Sequence, residues 1–265
     1  MTIPDVSSRS LAELISLAGR RAVVTGGGRG LGKAIALRLA EAGASVLIGD
    51  LDEDLAVAAA AELGDRYPVT TVGTRMDVTD TDSVTAAAER AVGDLGGIDI
   101  WVNNAGIFPA ALVPELTDET WDRVFAVNAR GVFVGSREAA SRMRGGVIVN
   151  VVSTAGFRGT APGLAAYVGS KHAVRGMTRQ LALEFAPRGI RVLGVAPTYV
   201  PTEGNIQAAV EAGVTLEAAR SLMQNSVIGR VGVPDDIARV VLFCASDLSA
   251  FMTGSTLLAD GGDTA

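Results

Sequence analysis

Short β-branched runs alternate along the chain with longer alanine-rich stretches whose apolar positions recur at helical spacing. The runs fall at Ala22–Thr25, Ser45–Gly49, Val69–Arg75, Ile98–Asn103, Val147–Ser153, Arg191–Ala196 and Ser255–Ala259. In the first crossover Ile35, Leu39 and Ala42 share one helical face, with Gly43 placed to end the helix. Leu55–Leu63 and Val84–Leu95 repeat the pattern. Strands alternating with helices are the mark of βαβ units, so the sequence predicts a single doubly wound α/β domain: a seven-stranded parallel sheet flanked by helices on both faces. The domain is expected over 19–265. A helical arm over 1–18 precedes it, carrying Leu11, Leu14, Ile15 and Leu17 at helical spacing. Thr202–Gly232 interrupts the alternation and reads as an inserted substrate lid. The few residues from Arg142 to Gly146 predict a tight loop before the fifth strand.

The first strand runs straight into Thr25-Gly26-Gly27-Gly28-Arg29-Gly30-Leu31-Gly32, and a helical pattern begins at Lys33. Glycines in a strand-to-helix turn permit positive φ and close backbone approach, and the helix N-terminus presents unpaired N–H groups to phosphate. The same string also fits an ordinary glycine-rich loop. Asp50, about 20 positions on at the end of the second strand, is placed to accept hydrogen bonds from an adenosine ribose and to repel a 2′-phosphate. That points to NAD rather than NADP, against a plain strand-end aspartate. Arg29 pulls the other way, because its guanidinium is able to reach a 2′-phosphate; Asp50 is taken as the stronger determinant.

Charge and rare residues narrow the chemistry. Twenty-three Lys and Arg against 29 Asp and Glu give a net charge of −6 without a basic cluster, so neither nucleic acid nor an anionic membrane is the expected partner; a small molecule is. The lone Cys244 cannot close an intrachain disulfide, and the lone His172 cannot build the usual zinc site. No secretory signal pattern and no long uncharged apolar run is present. A cytoplasmic, metal-independent protein is expected.

Further along stand Asn103-Asn104-Ala105-Gly106, Asn128, Ser153 and Tyr167-Val168-Gly169-Ser170-Lys171, then Pro197, Thr202 and Asp260-Gly261-Gly262. With three tyrosines and two lysines in the chain, a chance Tyr-x-x-x-Lys has odds of about 2%. In type, order and spacing these segments resemble the TGxxxGxG, NNAG and Ser–Tyr–Lys motifs of the short-chain dehydrogenase/reductase family, over nearly the whole chain after the arm. The resemblance implies a Rossmann domain, a nicotinamide cofactor, which Asp50 marks as NAD with NADP less favoured, and a homotetramer. It implies cofactor contacts from Gly26, Gly28, Arg29, Gly30, Leu31 and Gly32, with Asp50 and Leu51 at the ribose and Asp77 and Val78 at the adenine. Asn104, Ala105 and Gly106 fall to the central ribose region, and Pro197, Val200 and Thr202 to the nicotinamide end. Asp77 reads equally as a helix cap ahead of Asp82. Three positions depart from the family's common residues: Val152, Leu193 and Thr198, the last where glycine usually follows Pro197.

The catalytic reading follows from chemistry. Adding a hydride to a carbonyl carbon requires a proton at the oxygen, and a tyrosine of ordinary pKa about 10 is too weak a base near neutrality without nearby positive charge. Four residues apart on a helix, Tyr167 and Lys171 are neighbours on one face. Ser153 lies at the C-terminal end of the fifth strand, the ligand edge of an open α/β sheet. By resemblance Ser153 binds the substrate oxygen, Lys171 also holds the nicotinamide ribose, and Asn128 completes a proton path through water. Taken singly each has a bland reading: Tyr167 as an amphipathic helix residue, Lys171 as a solvated charge, Ser153 as a cap, Asn128 as a turn residue. His172, about 100° around the helix from Lys171, reads as a surface residue.

Phe108, Thr154, Phe157, Leu164, Tyr199 and the segment from Ile206 to Met223 are expected to line a mainly apolar pocket for an alicyclic, aromatic or acyl ketone. Arg158 reads as solvated rather than as the binder of an acidic substrate group. The leading expectation is a hydride transfer between NAD(H) and a secondary alcohol or ketone. Its rivals are an NADP-dependent 3-oxoacyl-[acyl-carrier-protein] reductase and, in another class, a non-catalytic nucleotide-sensing protein.

Overall fold

A computed structural model describes residues 5–206 and 227–265. Seven parallel strands, β1 (Arg21–Thr25), β2 (Ser45–Asp50), β3 (Thr71–Arg75), β4 (Ile100–Asn103), β5 (Gly146–Val151), β6 (Ile190–Pro197) and β7 (Thr256–Ala259), form one sheet in the order β3-β2-β1-β4-β5-β6-β7. The order reverses between β1 and β4, which opens a crevice at the C-terminal strand ends. Successive strand residues feed opposite layers: Val24 and Ile48 pack toward α2 (Gly30–Glu41), α3 (Glu53–Arg66) and α8 (Pro234–Ala245). Val23 and Leu47 pack toward α4 (Thr81–Leu95), α6 (Gly131–Arg142) and α7 (Ala165–Phe185). All seven predicted strands are present, and the sheet is covered on both faces as expected.

The differences lie at the ends. β4 starts two residues after Ile98, which is buried but precedes the ladder; there Asp99 pairs with Arg21 at 2.6 Å. β3 likewise begins at Thr71, since the Val69 N–H bonds back to the Tyr67 carbonyl. Hydrophobicity reports burial, which extends beyond the hydrogen-bonded residues. Ala42 is the C-cap of α2, with Gly43 one place beyond at φ +101°. The loop between α6 and β5 is as short as expected.

The arm forms α1 (Leu11–Ile15), opened by a capping box in which Ser10 and Glu13 bond reciprocally. It rests on its own domain: Leu17 is buried, and Arg9 pairs with Asp247 beyond the end of α8. Of the proposed lid, 207–226 lies outside the described residues, and so does most of the Ile206–Met223 segment.

Candidate active site

The glycine turn is packed against the NNAG segment. The Thr25 hydroxyl accepts from the backbone N–H of Asn104 (3.0 Å) and Ala105 (3.1 Å), and the Asn104 amide donates to the carbonyls of Thr25 (3.0 Å) and Gly26 (2.9 Å). A Cβ on Gly32 would come within 2.1 Å of the Gly26 carbonyl oxygen, and one on Gly26 within 2.9 Å of Ala105. Gly26 also needs its φ of +61°. Asn104 therefore spends its amide on shaping the turn, while Gly106 is exposed. The end of α2 has no side-chain cap, because Arg29 occupies the N-cap position without such a bond. First-turn N–H groups left without a side-chain acceptor suit an anion.

Asp50 ends β2 with its carboxylate on the Gly28 N–H at 2.9 Å, so the acid and the turn are one unit. The Arg29 guanidinium lies at Gly204, where a Cβ would sit 3.3 Å from its Nε, and Thr202 packs on Gly30. Thr202 caps the helical turn beginning at Glu203, accepting from the Asn205 N–H at 3.2 Å. Leu31 is half-buried beside the core and Leu51 is 61% exposed. Val200 points its side chain into the core, which leaves only its backbone for a ligand. Pro197 ends β6.

Asp77 is not a helix cap. Its carboxylate accepts from the N–H and hydroxyl of Thr79 (2.9 and 2.7 Å), while Asp80 caps α4. Val78, almost buried, packs under Gly131.

The predicted catalytic residues meet at the C-terminal ends of β4 and β5. β5 stops at Val151, so Ser153 stands outside the strand; its hydroxyl accepts from the Ala155 N–H at 3.1 Å and caps a short 3₁₀ turn, Thr154–Gly156. Ser153 is thus both a cap and a partner of Tyr167, whose hydroxyl hydrogen-bonds it. Burial raises the Tyr167 pKa above its ordinary value, and the Ser153 bond opposes that only in part. Lys171 is 4% exposed, not a solvated charge; its Nζ donates to the Val151 carbonyl at 2.8 Å and lies 5.7 Å from the centre of the Tyr167 ring. Burial pushes its pKa down to about 8. In the protein alone, desolvation therefore outweighs the lysine's charge at the tyrosine.

Asn128 is not a turn residue. It is fully buried in a π-helical turn, Ala126–Arg130, between α5 (Asp118–Phe125) and α6, and such turns recur at functional sites. Its amide closes a two-way bond with Ile107, accepting from the N–H and donating to the carbonyl at 2.8 Å each, and donates to Ser170 at 3.1 Å. Ser170 in turn donates to the Tyr167 carbonyl at 2.7 Å. Ile107 and Ser170 were missed in the sequence; neither residue type carries a signal of its own.

Phe108 stands edge-on to Tyr167 with ring centres 5.9 Å apart and is 41% exposed, a ready apolar wall. Leu164 and Tyr199 are half-buried. Two expected wall residues are committed elsewhere: Thr154 is buried, and the Phe157 ring lies 3.8 Å below the Arg175 guanidinium and packs on Val132, Val152, Val174 and Ala196. The departures Val152 and Leu193 are both core residues. His172 is exposed as expected. Arg158 is not merely solvated; it pairs with Asp263 at 2.8 Å. Among the described residues no group of His, Cys, Asp or Glu could hold a metal ion, and no helix is long and apolar enough to cross a membrane.

A glycine turn clasped to an NNAG segment, with serine, tyrosine and lysine converging at the switch point of the sheet, defines a nucleotide-dependent oxidoreductase, and the chain belongs to the short-chain dehydrogenase/reductase family. A family model described as enoyl-(acyl carrier protein) reductase matches residues 26–264. The chain is 40% identical over 248 residues to 2-(S)-hydroxypropyl-CoM dehydrogenase 3 of Xanthobacter autotrophicus, covering 91% of this chain and 95% of that one. It is 36% identical over 251 residues to a 3-oxoacyl-[acyl-carrier-protein] reductase of Aquifex aeolicus, covering 94% and 98%. A short-chain type dehydrogenase/reductase from Mycobacterium marinum superposes with a TM-score of 0.89 at 33% identity, covering 96% of this chain and 99% of that one.

Proposed function

We propose that the protein moves a hydride between NAD(H) and a secondary alcohol or ketone, with Tyr167 as the acid/base. The observation that carries the cofactor choice is the Asp50 carboxylate at the end of β2, fastened to the turn through Gly28. A charge held there accepts ribose hydroxyls and repels a 2′-phosphate. The uncapped start of α2 suits the pyrophosphate, and the Lys171 ammonium, with three donors and one bonded to Val151, has further donors for ribose hydroxyls. When bound, the nicotinamide supplies or accepts the hydride.

The chain's own residues handle the proton. In reduction Tyr167 gives its hydroxyl proton to the substrate oxygen while Ser153 donates a hydrogen bond to the same oxygen; in oxidation Tyr167 takes the proton back. Lys171, when charged, stabilises the phenolate left behind. Asn128 holds Ile107 and Ser170, and through them the strap and helix that carry Phe108 and Tyr167. Phe108 excludes water from one side. The assembly is a homotetramer, and the buried free thiol of Cys244 suits a reducing cytoplasm.

A second reading, an NADP-dependent 3-oxoacyl reductase, draws on Arg29 and on the similarity to the Aquifex reductase. Titration with NADH and NADPH, followed by nicotinamide fluorescence, separates the two. NADH is expected to bind the wild type more tightly, and Asp50→Ala to raise NADPH affinity relative to NADH by about tenfold or more, the worth of one removed repulsion. Tighter NADPH binding by the wild type overturns the NAD assignment. Tyr167→Phe is expected to lower turnover of secondary alcohols by about 10²-fold or more while leaving NADH affinity in place.

A further inference from the structure

Three parallel strands, β5, β6 and β7, end side by side, and one carboxylate laces together the loops that follow them. Asp263, in the segment after β7, pairs with Arg158 at 2.8 Å and accepts from the Thr198 hydroxyl at 2.8 Å. Arg158 lies in the loop between Ser153 and Tyr167, and Thr198 directly follows Pro197 at the end of β6. Asp263 is not a loose tail residue. Asp260 accepts from the N–H of Gly262 (3.0 Å) and from the N–H (3.0 Å) and hydroxyl (2.6 Å) of Thr264, folding the segment into a turn that presents Asp263 inward. Its side chain is only 10% exposed, whereas that of Arg158 is 47% exposed. Thr198 is thereby the second hydrogen-bond partner of Asp263.

We propose that Asp263 is a specificity-determining residue of the substrate pocket: by neutralising and tethering Arg158, on the loop that runs from Ser153 to Tyr167, it keeps the pocket selective for uncharged alcohols and ketones over carboxylate-bearing ones. The proposal rests on the alcohol/ketone reading above. A guanidinium released on this loop is a ready partner for a carboxylate, by the same geometry through which Asp263 now occupies it. Among the described residues no hydrogen bond or ion pair joins Asp263 to Tyr167 or to the glycine turn, so NADH affinity serves as the control that separates a change in substrate choice from a change at the cofactor.

The test measures binding of cyclohexanecarboxylate by calorimetry to the purified full chain, and in parallel the kcat/KM of cyclohexanone and 4-oxocyclohexanecarboxylate with NADH. Asp263→Asn is expected to tighten cyclohexanecarboxylate binding by about fivefold or more, the scale of one partly exposed charge contact. It should shift the kcat/KM ratio toward the charged ketone by a similar factor, with NADH affinity unchanged. Adding Arg158→Ala to that variant should abolish both gains, and Asp263→Ala should reproduce them if the asparagine variant folds poorly. No gain in carboxylate binding, or a gain that survives Arg158→Ala, overturns the proposal. If neither ketone is turned over by the wild type, the oxidoreductase reading has failed, while the calorimetric outcome still decides the role of Asp263.

Discussion

At Lys171 burial and charge oppose each other. A lysine at 4% exposure loses most of its hydration, and one carbonyl at 2.8 Å does not replace it, so its pKa falls to about 8. Below about pH 8 the ammonium is charged in both folded and unfolded chains, and the fold bears the full desolvation cost. As pH rises from about 8 to the unfolded value near 10.4, the unfolded chain holds the extra proton, so stability rises through that window. Lys171→Met is therefore expected to stabilise the protein at pH 7 by about 2 kcal/mol, after allowing for the Val151 carbonyl it strands, and to flatten the rise above pH 8. Urea denaturation from pH 7 to 10 in both proteins reads this directly. A destabilised methionine variant at pH 7 would mean that the lysine serves the fold rather than the chemistry.

Between elements, the site depends on a chain of buried polar groups that crosses the sheet. Asn103 and Asn150 face each other in register on β4 and β5 and bond at 2.9 Å. Asn103 accepts from the Trp101 indole (2.8 Å) and donates to Ser136 on α6 (3.0 Å), and Asn150 donates to Thr178 on α7 (3.0 Å). β4 leads into Asn104–Gly106, β5 into Ser153, and α7 carries Tyr167 and Lys171, so one network sets the spacing of the parts that must meet. Asn103→Ala leaves the indole N–H, Asn150 and Ser136 without this partner, and a loss of about 3 kcal/mol or more in urea denaturation is expected. A loss under about 1 kcal/mol would show that water replaces the amide without cost.

At the scale of the whole molecule, the surface carries apolar groups that one copy does not cover. β7 is an edge strand of four residues with Leu258 exposed, Phe251 just before it is fully exposed, and Phe133 on α6 is 45% exposed. Exposed edges and large apolar side chains are the usual places of subunit contact. Sedimentation velocity of the wild type is expected to show a tetramer, and Phe251→Glu to give a smaller species at the same concentration. A monomeric wild type, or a variant of unchanged mass, would remove Phe251 from the assembly.

The alternation of apolar runs with helical spacing determined seven strands, their parallel arrangement and the position of the glycine turn, because burial and backbone conformation are read from local side-chain pattern. The motif residues Ser153, Tyr167 and Lys171 were legible too, since their chemistry depends on residue type and, for the last two, on helical spacing. Tertiary structure decided the rest. Asn128 turned inward on a π-helical turn that no local pattern marks, and Asp77 gave up the helix cap to Asp80 three residues later. Phe157 went under Arg175 instead of into the pocket. Arg158 and Thr198, separated from Asp263 by 65 residues or more, became its partners. Each of these outcomes depends on which distant backbone and side-chain groups lie within about 3 Å once the sheet has formed, and sequence spacing does not encode that distance.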